Sequence, residues 1–228
     1  MQASILNLKR RNMTIMFKAT SRSRPHRLKK TIDSIVNNVS AECDYFIQIS
    51  LDEDDPTLAE YFNLISPTHE KIVGTSKNKI DAINRDMDLV DQWWDILVNV
   101  SDDQVFIEPN FDLDILKAFE QNNDLFVHFP DGNQGDLATM SIIGRKYYLR
   151  DGFIYHPSYE SVYCDNEAQD VAKLRGCYKL VNKHIFNHEH PAWGKGQMDA
   201  QYAKTDHYSV YAKDRETYIT RAAKNFYL

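Results

Sequence analysis

The feature of this sequence that most constrains its fold is a regular alternation between short apolar runs and amphipathic segments. Apolar runs bounded by polar clusters predict buried strands, whereas apolar residues spaced three and four apart predict helices that bury one face. The predicted strands are 13–19, 45–51, 71–74, 95–100, 125–129 and 140–143, and the predicted helices are 28–39, 57–65, 78–89 and 112–121.

This order of elements predicts an α/β fold with a mostly parallel central sheet flanked by helices, because parallel neighbours are joined by crossovers that are usually helical. Ligands bind such sheets beyond the carboxyl ends of the strands. Three polar clusters follow predicted strands and therefore fall at that edge, at 21–24, 52–55 and 101–103. The alternation weakens from residue 132 onward, but no linker or repeat interrupts the chain. We therefore predict one domain over 1–228.

The composition is that of an ordinary globular domain. Hydrophobic residues make up 43% and charged residues 26%, and no apolar run approaches the ~20 residues of a membrane-spanning helix. Residues 1–12 lack the pattern of a cleaved leader and are predicted to be a poorly ordered lead-in. The three cysteines, Cys43, Cys164 and Cys177, lack zinc-site spacing and predict free thiols in a reducing compartment, the cytoplasm of a bacterium or of a phage-infected host cell.

Charge is distributed unevenly along the chain. The net charge of −6 argues against a protein that coats nucleic acid with its whole surface. A basic run near the start contains no acid and is either a solvated basic face or an edge that faces phosphate. Its members are Lys9, Arg10, Arg11, Lys18, Arg22, Arg24, Arg27, Lys29 and Lys30.

Two adjacent acids, Asp102 and Asp103, directly follow the predicted strand 95–100. Their carboxylates are therefore expected at the ligand edge of the sheet, where they could hold Mg²⁺ or Mn²⁺ and, through it, a diphosphate. The alternative is a helix N-cap followed by an exposed acid. Asp52 ends the second predicted strand and could accept hydrogen bonds from a uracil-type base or from ribose hydroxyls.

Four motifs occur in order at the ends of predicted strands. Residues 20–25 read TSRSRP, Asp52 ends a strand, residues 74–84 read GTSKNKIDAIN, and residues 101–103 read SDD. They resemble the T-x-x-R-P opening, the strand-terminal Asp, the G-x-x-x-N-K-x-x-A-x-N stretch and the DxD metal motif of family 2-like glycosyltransferases with the GT-A fold. The resemblance covers roughly residues 13–115 and continues only in short pieces beyond them.

The resemblance implies a GT-A fold, a nucleoside diphosphate sugar donor (UDP-sugar favoured) and a divalent cation, Mn²⁺ or Mg²⁺. It divides the domain into a nucleotide-sugar-binding half, 13–115, and a half that completes the acceptor and metal sites, 116–228. The chain has adjacent acids instead of a strict DxD, so either acid could contact the metal, and we favour Asp103. The residues implied to bind the nucleotide are Thr20, Ser21, Arg24, Asp52, Lys79, Asn84 and Asp102.

Two clusters in the second half resemble further family elements. Asp165 and Glu167 open an amphipathic stretch and resemble the acidic pair from which inverting members draw their general base; helix capping is the alternative. His188 and His190, in a His-x-His-Pro sequence, resemble the C-terminal His that GT-A enzymes often bring to the metal. Which member of each pair acts stays open, with Asp165 preferred as the base. The nearby Asp199 and Asp206 are predicted to be ordinary surface acids.

The leading functional hypothesis is a metal-dependent glycosyltransferase, a hexosyl- or pentosyltransferase, that moves a sugar from a nucleoside diphosphate to a hydroxyl acceptor. The acceptor could be a hydroxymethylated base of phage DNA, an idea that the basic run and Lys173, Arg175, Lys179 and Lys183 favour. One alternative is a metal-dependent nuclease or nucleotidyltransferase that also uses Glu108 as a ligand. The other is a catalytically degenerate GT-A domain that only binds nucleotide. No membrane partner is expected, and the oligomeric state is not readable.

Overall fold

A computed structural model describes residues 13–228, so the predicted lead-in and three members of the basic run (Lys9, Arg10 and Arg11) lie outside the described residues. The strands are β1 (Thr14–Ser21), β2 (Asp44–Asp52), β3 (Glu70–Gly74), β4 (Ile96–Ser101), β5 (Gln104–Phe106), β6 (Phe126–His128), β7 (Ile142–Gly144), β8 (Tyr178–Leu180) and β9 (Phe186–His188). The α-helices are α1 (Pro25–Asn38), α2 (Leu58–Leu64), α3 (Lys79–Asn84), α4 (Phe111–Phe119), α5 (Arg145–Asp151), α6 (Cys164–Leu174), α7 (Ala200–Thr205) and α8 (Tyr208–Ala222).

Seven strands form one sheet in the order β3-β2-β1-β4-β7-β6-β8. β1 pairs in parallel with both β2 and β4, whereas β7 runs antiparallel to β4 and β6. The chain extends the sheet in one direction from β1 to β3 and in the other from β4, so β1 and β4 flank a topological switch point. Ligands bind beyond the carboxyl ends of the strands at such a point. The predicted mostly parallel α/β sheet is confirmed.

Helix α1 begins directly after β1, and its start sets up the ligand edge. Pro25 occupies the first turn, where its fixed φ suits a helix and its missing N–H is not needed. Leu28, Ile32 and Ile35 then fall on one face and are buried against the sheet. Arg24 stands at the N-cap position without capping the helix by its side chain. Its guanidinium is therefore available to the carboxyl edge of the sheet.

Apolar clusters cover both faces of the sheet. Ile15, Phe17 and Ala19 of β1 face one cluster, and Met16 faces the other. This alternation is what a strand buried on both sides requires, since successive side chains point to opposite faces.

The sequence did not predict a second, two-stranded sheet. β5 pairs antiparallel with β9, and the register places Gln104 opposite His188. Both strands contain three residues, too few for a periodicity to be read. This pairing carries the second half of the chain to the end of β4.

The predicted helix 78–89 is shorter than expected. α3 ends at Asn84, Asp86 adopts a left-handed conformation, and a 3₁₀ turn spans Met87–Leu89. The thiols of Cys43, Cys164 and Cys177 are free, as predicted. Within residues 13–228 no helix combines the length and apolarity that crossing a membrane requires.

Candidate functional site

The turn between β4 and β5 places two carboxylates at the switch point. Asp102 and Asp103 occupy this turn, and Gln104 fixes it by accepting from the Ser101 N–H (2.9 Å) and donating to the Thr139 carbonyl (3.1 Å). The alternative interpretation of the two acids as a helix cap is wrong, because the helix that follows, α4, has Asn110 at its N-cap. Both side chains are buried, at 6% and 5% exposure.

Asp102 is bonded to the loop after β1. It accepts from the Ser21 hydroxyl (2.6 Å) and from the Arg24 guanidinium (3.1 Å). Burial, followed by the neighbouring Asp103 charge, raises the pKa of Asp102 to about 6, although Arg24 opposes the shift. The structure therefore brings together Ser21, Arg24 and Asp102, as the sequence predicted.

Asp103 is held from the opposite side. Its Oδ2 accepts from the Tyr202 hydroxyl (2.8 Å) and lies 3.4 Å from Nε2 of His188. Burial opposes ionisation, but the hydrogen bond and charge of His188, the charge of Lys79 and the Tyr202 hydroxyl together hold the pKa of Asp103 well below its usual range. Its Oδ1 is buried and has no hydrogen-bond partner within residues 13–228.

His188 bridges two carboxylates, Asp103 through Nε2 and Asp131 through Nδ1 (3.2 Å). Burial lowers its basicity, yet the hydrogen bonds and charges of the two acids dominate and raise the pKa of His188 to about 9. Asp131 has a pKa lowered to about 2, because hydrogen bonds from His188 and from backbone N–H groups outweigh its burial.

His190, the other candidate ligand, has both ring nitrogens engaged. Nδ1 accepts from the Ala192 N–H (3.2 Å), and Nε2 lies 3.2 Å from Asp206. Because Nδ1 of His190 uses its lone pair to accept and Nε2 faces Asp206 instead of Asp103, the geometry argues against the expectation for His190. His188 has acids at both nitrogens and directs Nε2 to Asp103, so it is the better candidate once it has lost one proton.

Helix α7 packs against this site through its first turn. Asp199 caps the helix and pairs with Arg24 at 2.6 Å, and the Arg24 guanidinium lies 3.7 Å from the centre of the Tyr202 ring. Arg27 donates to the Tyr202 hydroxyl at 2.7 Å. The prediction that Asp199 is an ordinary surface acid is wrong, since it is half-buried and pairs with Arg24. Asp206 is exposed, as predicted, and pairs with His190.

A second polar group surrounds Asp52 at the end of β2. Its Oδ2 accepts from Arg22 (3.0 Å), whereas Oδ1 is buried without a hydrogen-bond partner among the described residues. Gly74 lies opposite Asp52, and a Cβ there would come within 2.1 Å of the Arg85 guanidinium, so a larger residue would displace the Arg85 side chain from its present position. Thr20 is the last residue but one of β1 and lies opposite Ser50 of β2, and Lys79 is exposed at the start of α3.

Asn84 was predicted to line the nucleotide pocket, but its side chain serves the fold. It donates to the Tyr155 carbonyl (2.6 Å) and accepts from the N–H groups of Ile154 (2.9 Å) and Tyr155 (3.1 Å). These bonds fasten α3 to the loop 154–155 and occupy the amide groups that a base would use.

The two candidate bases, Asp165 and Glu167, have different environments. Burial raises the pKa of Asp165, although a hydrogen bond from the Asn166 N–H (2.9 Å) and the charges of Lys79 and His188 oppose the increase. Glu167 is 3% exposed and has both oxygens bonded, to Arg221 at 2.8 and 2.9 Å and to the Tyr159 hydroxyl at 2.7 Å. The geometry therefore argues against Glu167 as the base.

The donors around Asp103 suit a hard divalent cation. Oδ1 of Asp103, which is buried and has no hydrogen-bond partner in the described chain, is an oxygen donor, and the nearby Nε2 of His188 is an imidazole donor. Mg²⁺ is commonly held by one or two side chains together with substrate phosphates. In the part of the chain that is described, no group of three or more His, Cys, Asp and Glu residues is arranged to hold a metal ion.

Sequence reasoning missed Asp131, Asp199 and Tyr202. Asp131 precedes Gly132 and Asn133, a turn signature that was visible in the sequence. Asp199 stands three residues before Tyr202, the spacing of an N-cap. Neither signal reveals which distant residue the carboxylate meets.

The fold is that of the GT-A class of structure. No protein-family model and no curated protein matches the sequence. Solved structures with similar coordinates include S. aureus TarS 1-349 in complex with UDP, at 10% identity and a TM-score of 0.58 over 77% of this chain and 60% of that one.

Two other similar structures contain both a nucleotide and a metal. Glucosyl-3-phosphoglycerate synthase from Mycobacterium tuberculosis, in complex with Mg²⁺ and UDP, matches at 14% identity and a TM-score of 0.57 over 78% of this chain and 72% of that one. The mannosyltransferase PcManGT from Pyrobaculum calidifontis, in complex with GDP-Man and Mn²⁺, matches at 9% identity and a TM-score of 0.60 over 92% and 75%. The GT-A fold is thereby confirmed. The chain spans about 60% of the TarS 1-349 chain.

Proposed function

We propose that this protein is a metal-dependent glycosyltransferase that takes its sugar from a nucleoside diphosphate donor, UDP-sugar by preference. The observation that carries the proposal is that Arg24 pairs with Asp102 and His188 lies against the adjacent Asp103 at the carboxyl ends of β1 and β4. Asp103 Oδ1 is buried and has no hydrogen-bond partner within residues 13–228. A cationic group and a metal-binding carboxylate at a switch point suit a diphosphate. The three similar structures were solved with UDP or GDP-Man.

The donor site is proposed to lie along the edge formed by β1, β2 and β4. Arg24 would exchange its pairing with Asp199 for the diphosphate, and Lys79 would add positive charge nearby. Oδ1 of Asp52 has the Arg85 guanidinium at 3.8 Å but accepts no hydrogen bond within residues 13–228, which supports contact with an N–H of the base or with a ribose hydroxyl. Thr20 and Ser21 line the same edge, and Asp102 would hold Arg24 and face the ribose.

Asp103 and His188 would hold the cation, Mn²⁺ or Mg²⁺. When bound, such a cation acts as a Lewis acid that neutralises charge on the departing diphosphate. His188 must lose a proton before its Nε2 can serve as a ligand, since the neighbouring Asp103 and Asp131 raise its pKa to about 9. His188 comes from β9, in the half 116–228, and Asp103 from the half 13–115, which is consistent with the proposed division of the domain.

Asp165 is the proposed general base. It would accept the proton of the acceptor hydroxyl as that oxygen bonds to the anomeric carbon and the bond from this carbon to the phosphate oxygen breaks, the electron pair leaving with the diphosphate. A carboxylate whose pKa is raised by burial is a better base near neutral pH than an exposed one.

The acceptor is proposed to be a hydroxyl compound, and the basic residues give duplex DNA little support. Lys183 pairs with Glu108 (2.8 Å) and Asp114 (2.7 Å), and Arg175 pairs with Asp151. Neutralised cations contribute little to phosphate binding. Hydroxymethylated phage DNA therefore has only the sequence pattern in its favour. Salt-sensitive binding to duplex DNA would restore it.

The nuclease alternative loses its third ligand in the same way, because Glu108 is paired with Lys183. A degenerate GT-A domain would bind the donor without cleaving it. Release of sugar from UDP-sugars without an acceptor distinguishes a transferase from a degenerate domain, because a transferase hydrolyses its donor slowly whereas a binding domain leaves it intact.

The decisive experiment is thermal unfolding of the protein with UDP, with Mn²⁺ and with both. Together they should raise Tm, because a ligand at 100 times its Kd increases the free energy of unfolding by roughly 2.7 kcal/mol. Asp103→Asn should abolish the increase that depends on Mn²⁺. Asp114→Asn, an acid paired with Lys183 outside the site, is the matched control. Equal Tm values for the wild-type protein with and without both ligands would refute the proposal.

A further inference from the structure

A buried carboxylate outside the proposed donor and base residues contacts the imidazole that approaches Asp103. Asp131 is fully buried and lies in the loop after β6. Its Oδ2 faces Nδ1 of His188 at 3.2 Å, and the opposite ring nitrogen, Nε2, points to Asp103. The side chains thus form a carboxylate–imidazole–carboxylate row.

The loop that carries Asp131 is built to fix this carboxylate. Oδ1 accepts from the N–H groups of Asn133 (2.8 Å) and Gln134 (2.6 Å), and Oδ2 also accepts from the Thr139 hydroxyl (3.0 Å). Gly132 adopts a φ of +79° and has His184 so close that a Cβ would lie 2.4 Å from its ring. The positive φ therefore favours glycine at this turn, and the hydrogen bonds to both oxygens fix the Asp131 carboxylate.

The same loop also grips the backbone of His188. The His188 N–H donates to the Asp131 carbonyl at 3.2 Å, and the Asn133 amide donates to the His188 carbonyl at 3.0 Å. His188 is therefore held at its N–H, its carbonyl and its ring. This is more fixation than a three-residue strand needs, and it directs one ring nitrogen to Asp103.

We propose that Asp131 is a positioning residue that keeps the Nδ1–H of His188 engaged and thereby presents the Nε2 lone pair toward Asp103 and the cation held there. The inference rests on the proposed function. A histidine ligand commonly donates its second N–H to a carboxylate, which fixes both tautomer and ring orientation. A neutral imidazole with its proton on Nδ1 is the tautomer whose Nε2 can bind a metal.

Asp131→Asn tests the inference because it retains the shape and the Oδ1 acceptor. The new amide presents an N–H donor to Nδ1 and so favours the opposite tautomer, in which Nε2 carries the proton. Loss of the carboxylate that accepts from the second N–H of a histidine ligand lowers metal affinity by roughly 10–100-fold. Thr139→Val is the matched control, since it removes the other side-chain donor to Oδ2 and leaves the Asp131–His188 contact in place.

Mn²⁺ affinity is measured by electron paramagnetic resonance of free Mn²⁺ at saturating UDP. We expect Asp131→Asn to weaken binding roughly 10–100-fold, Thr139→Val to stay near the wild-type value, and Asp131→Asn to add little in a His188→Ala background. A purely structural role would make the effect of Asp131→Asn equally large in both backgrounds, which would overturn the inference. Unchanged affinity in folded Asp131→Asn would do the same.

A second measurement needs no variant at Asp131. Long-range ¹H–¹⁵N spectra of the wild-type protein with Mg²⁺ and UDP should show His188 protonated at Nδ1, with the resonance assigned by its loss in His188→Ala. Protonation at Nε2 would overturn the inference even if Asp131→Asn fails to fold. Wild-type protein that binds no Mn²⁺ in the presence of UDP would refute the metal site itself, whereas Mn²⁺ binding that Asp131→Asn retains would refute only the role of Asp131.

Discussion

The pKa values of the adjacent carboxylates at the end of β4 are shifted in opposite directions. Burial and the charge of Asp103 raise the pKa of Asp102 to about 6, whereas His188 holds the pKa of Asp103 far below its usual range. Each of two neighbouring carboxylates makes ionisation of the other less favourable, and a facing cation offsets that effect. Arg24 faces Asp102 and His188 faces Asp103. Each residue of the pair thus has its own cation, which is consistent with different roles in donor binding.

At the same scale, Asp165 and Glu167 make contrasting predictions. Asp165→Asn should keep the fold and donor affinity but lower kcat by roughly 10²–10⁴-fold, the usual contribution of a general base. Glu167→Gln should lower the free energy of unfolding by about 3 kcal/mol, because it leaves Arg221 without its buried charge partner.

Transfer rates, UDP affinity and urea unfolding of both variants check this contrast. A folded Glu167→Gln protein without activity, beside an active Asp165→Asn protein, would reverse the assignment.

Lys18 gives a prediction for pH. It is fully buried in β1, donates to Gln48 (3.0 Å) and also contacts Ser50, and burial lowers its pKa from 10.5 to about 8 despite the Asp86 charge. Between these values the unfolded chain binds more protons than the folded one, so stability should rise as pH increases from 8 to 10.5. The gain is on the order of 3 kcal/mol.

The measurement is the urea unfolding free energy at pH 7.5 and 10 for the wild-type protein and Lys18→Met. The difference between the two proteins isolates Lys18 from the other groups that titrate in this range. A difference that does not change with pH would show that Lys18 keeps an ordinary pKa.

Helix α7 illustrates how one short element occupies a proposed donor site. Asp199 pairs with Arg24, Tyr202 bonds to Asp103, and Asp206 follows the helix and pairs with His190. A diphosphate at Arg24 must therefore compete with Asp199. Helix formation itself is local, since Asp199 caps it by accepting from the Tyr202 N–H at 2.9 Å.

Asp199→Asn should consequently tighten UDP binding. The substitution keeps an acceptor for the helix cap and removes the charge that competes for Arg24. An ion pair of this partial exposure contributes up to about 1 kcal/mol, or roughly a fivefold change in Kd. Calorimetric titration with UDP measures the change, and Lys204→Ala, an exposed residue of the same helix, is the control. Weaker binding by Asp199→Asn would instead indicate that α7 helps to hold the donor.

At the scale of the whole molecule, the site joins two distant parts of the chain. Asp103 follows β4, whereas His188 ends β9, and the β5–β9 pairing unites them together with a bond from the Glu189 N–H to the Asp103 carbonyl at 2.7 Å. A ligand that binds both Asp103 and His188 should therefore stabilise both segments at once.

Hydrogen–deuterium exchange tests this coupling. Adding UDP and Mn²⁺ should slow amide exchange in 102–106 and in 186–190 together, because opening either strand would break the same site. His188→Ala should keep the UDP-dependent protection near Arg24 and lose the Mn²⁺-dependent part in 186–190. Protection confined to 102–106 in the wild-type protein would separate the two halves functionally.

The sequence by itself determined the parallel core of the fold and the edge at which the site lies. Buried strands and amphipathic helices are encoded by local periodicity, so the predicted alternation was confirmed from β1 through β4. Ser21, Arg24, Asp102 and Asp103 lie at the ends of strands or within three residues beyond them, and the topology of parallel sheets brings strand ends together. Their proximity was therefore predictable without any knowledge of long-range contacts.

Only the tertiary structure showed which of the remaining polar residues lie at the candidate site. Asn84, Glu167 and His190 have suitable chemistry, yet their hydrogen bonds go to loop 154–155, to Arg221 and to Asp206. Asp131 contacts His188, which ends β9. The strands β5 and β9 contain three residues each, too few to leave a periodic signal in the sequence. The physical reason is that periodicity reports which face of an element is buried, whereas the partner of a buried polar side chain depends on contacts between residues far apart in the chain.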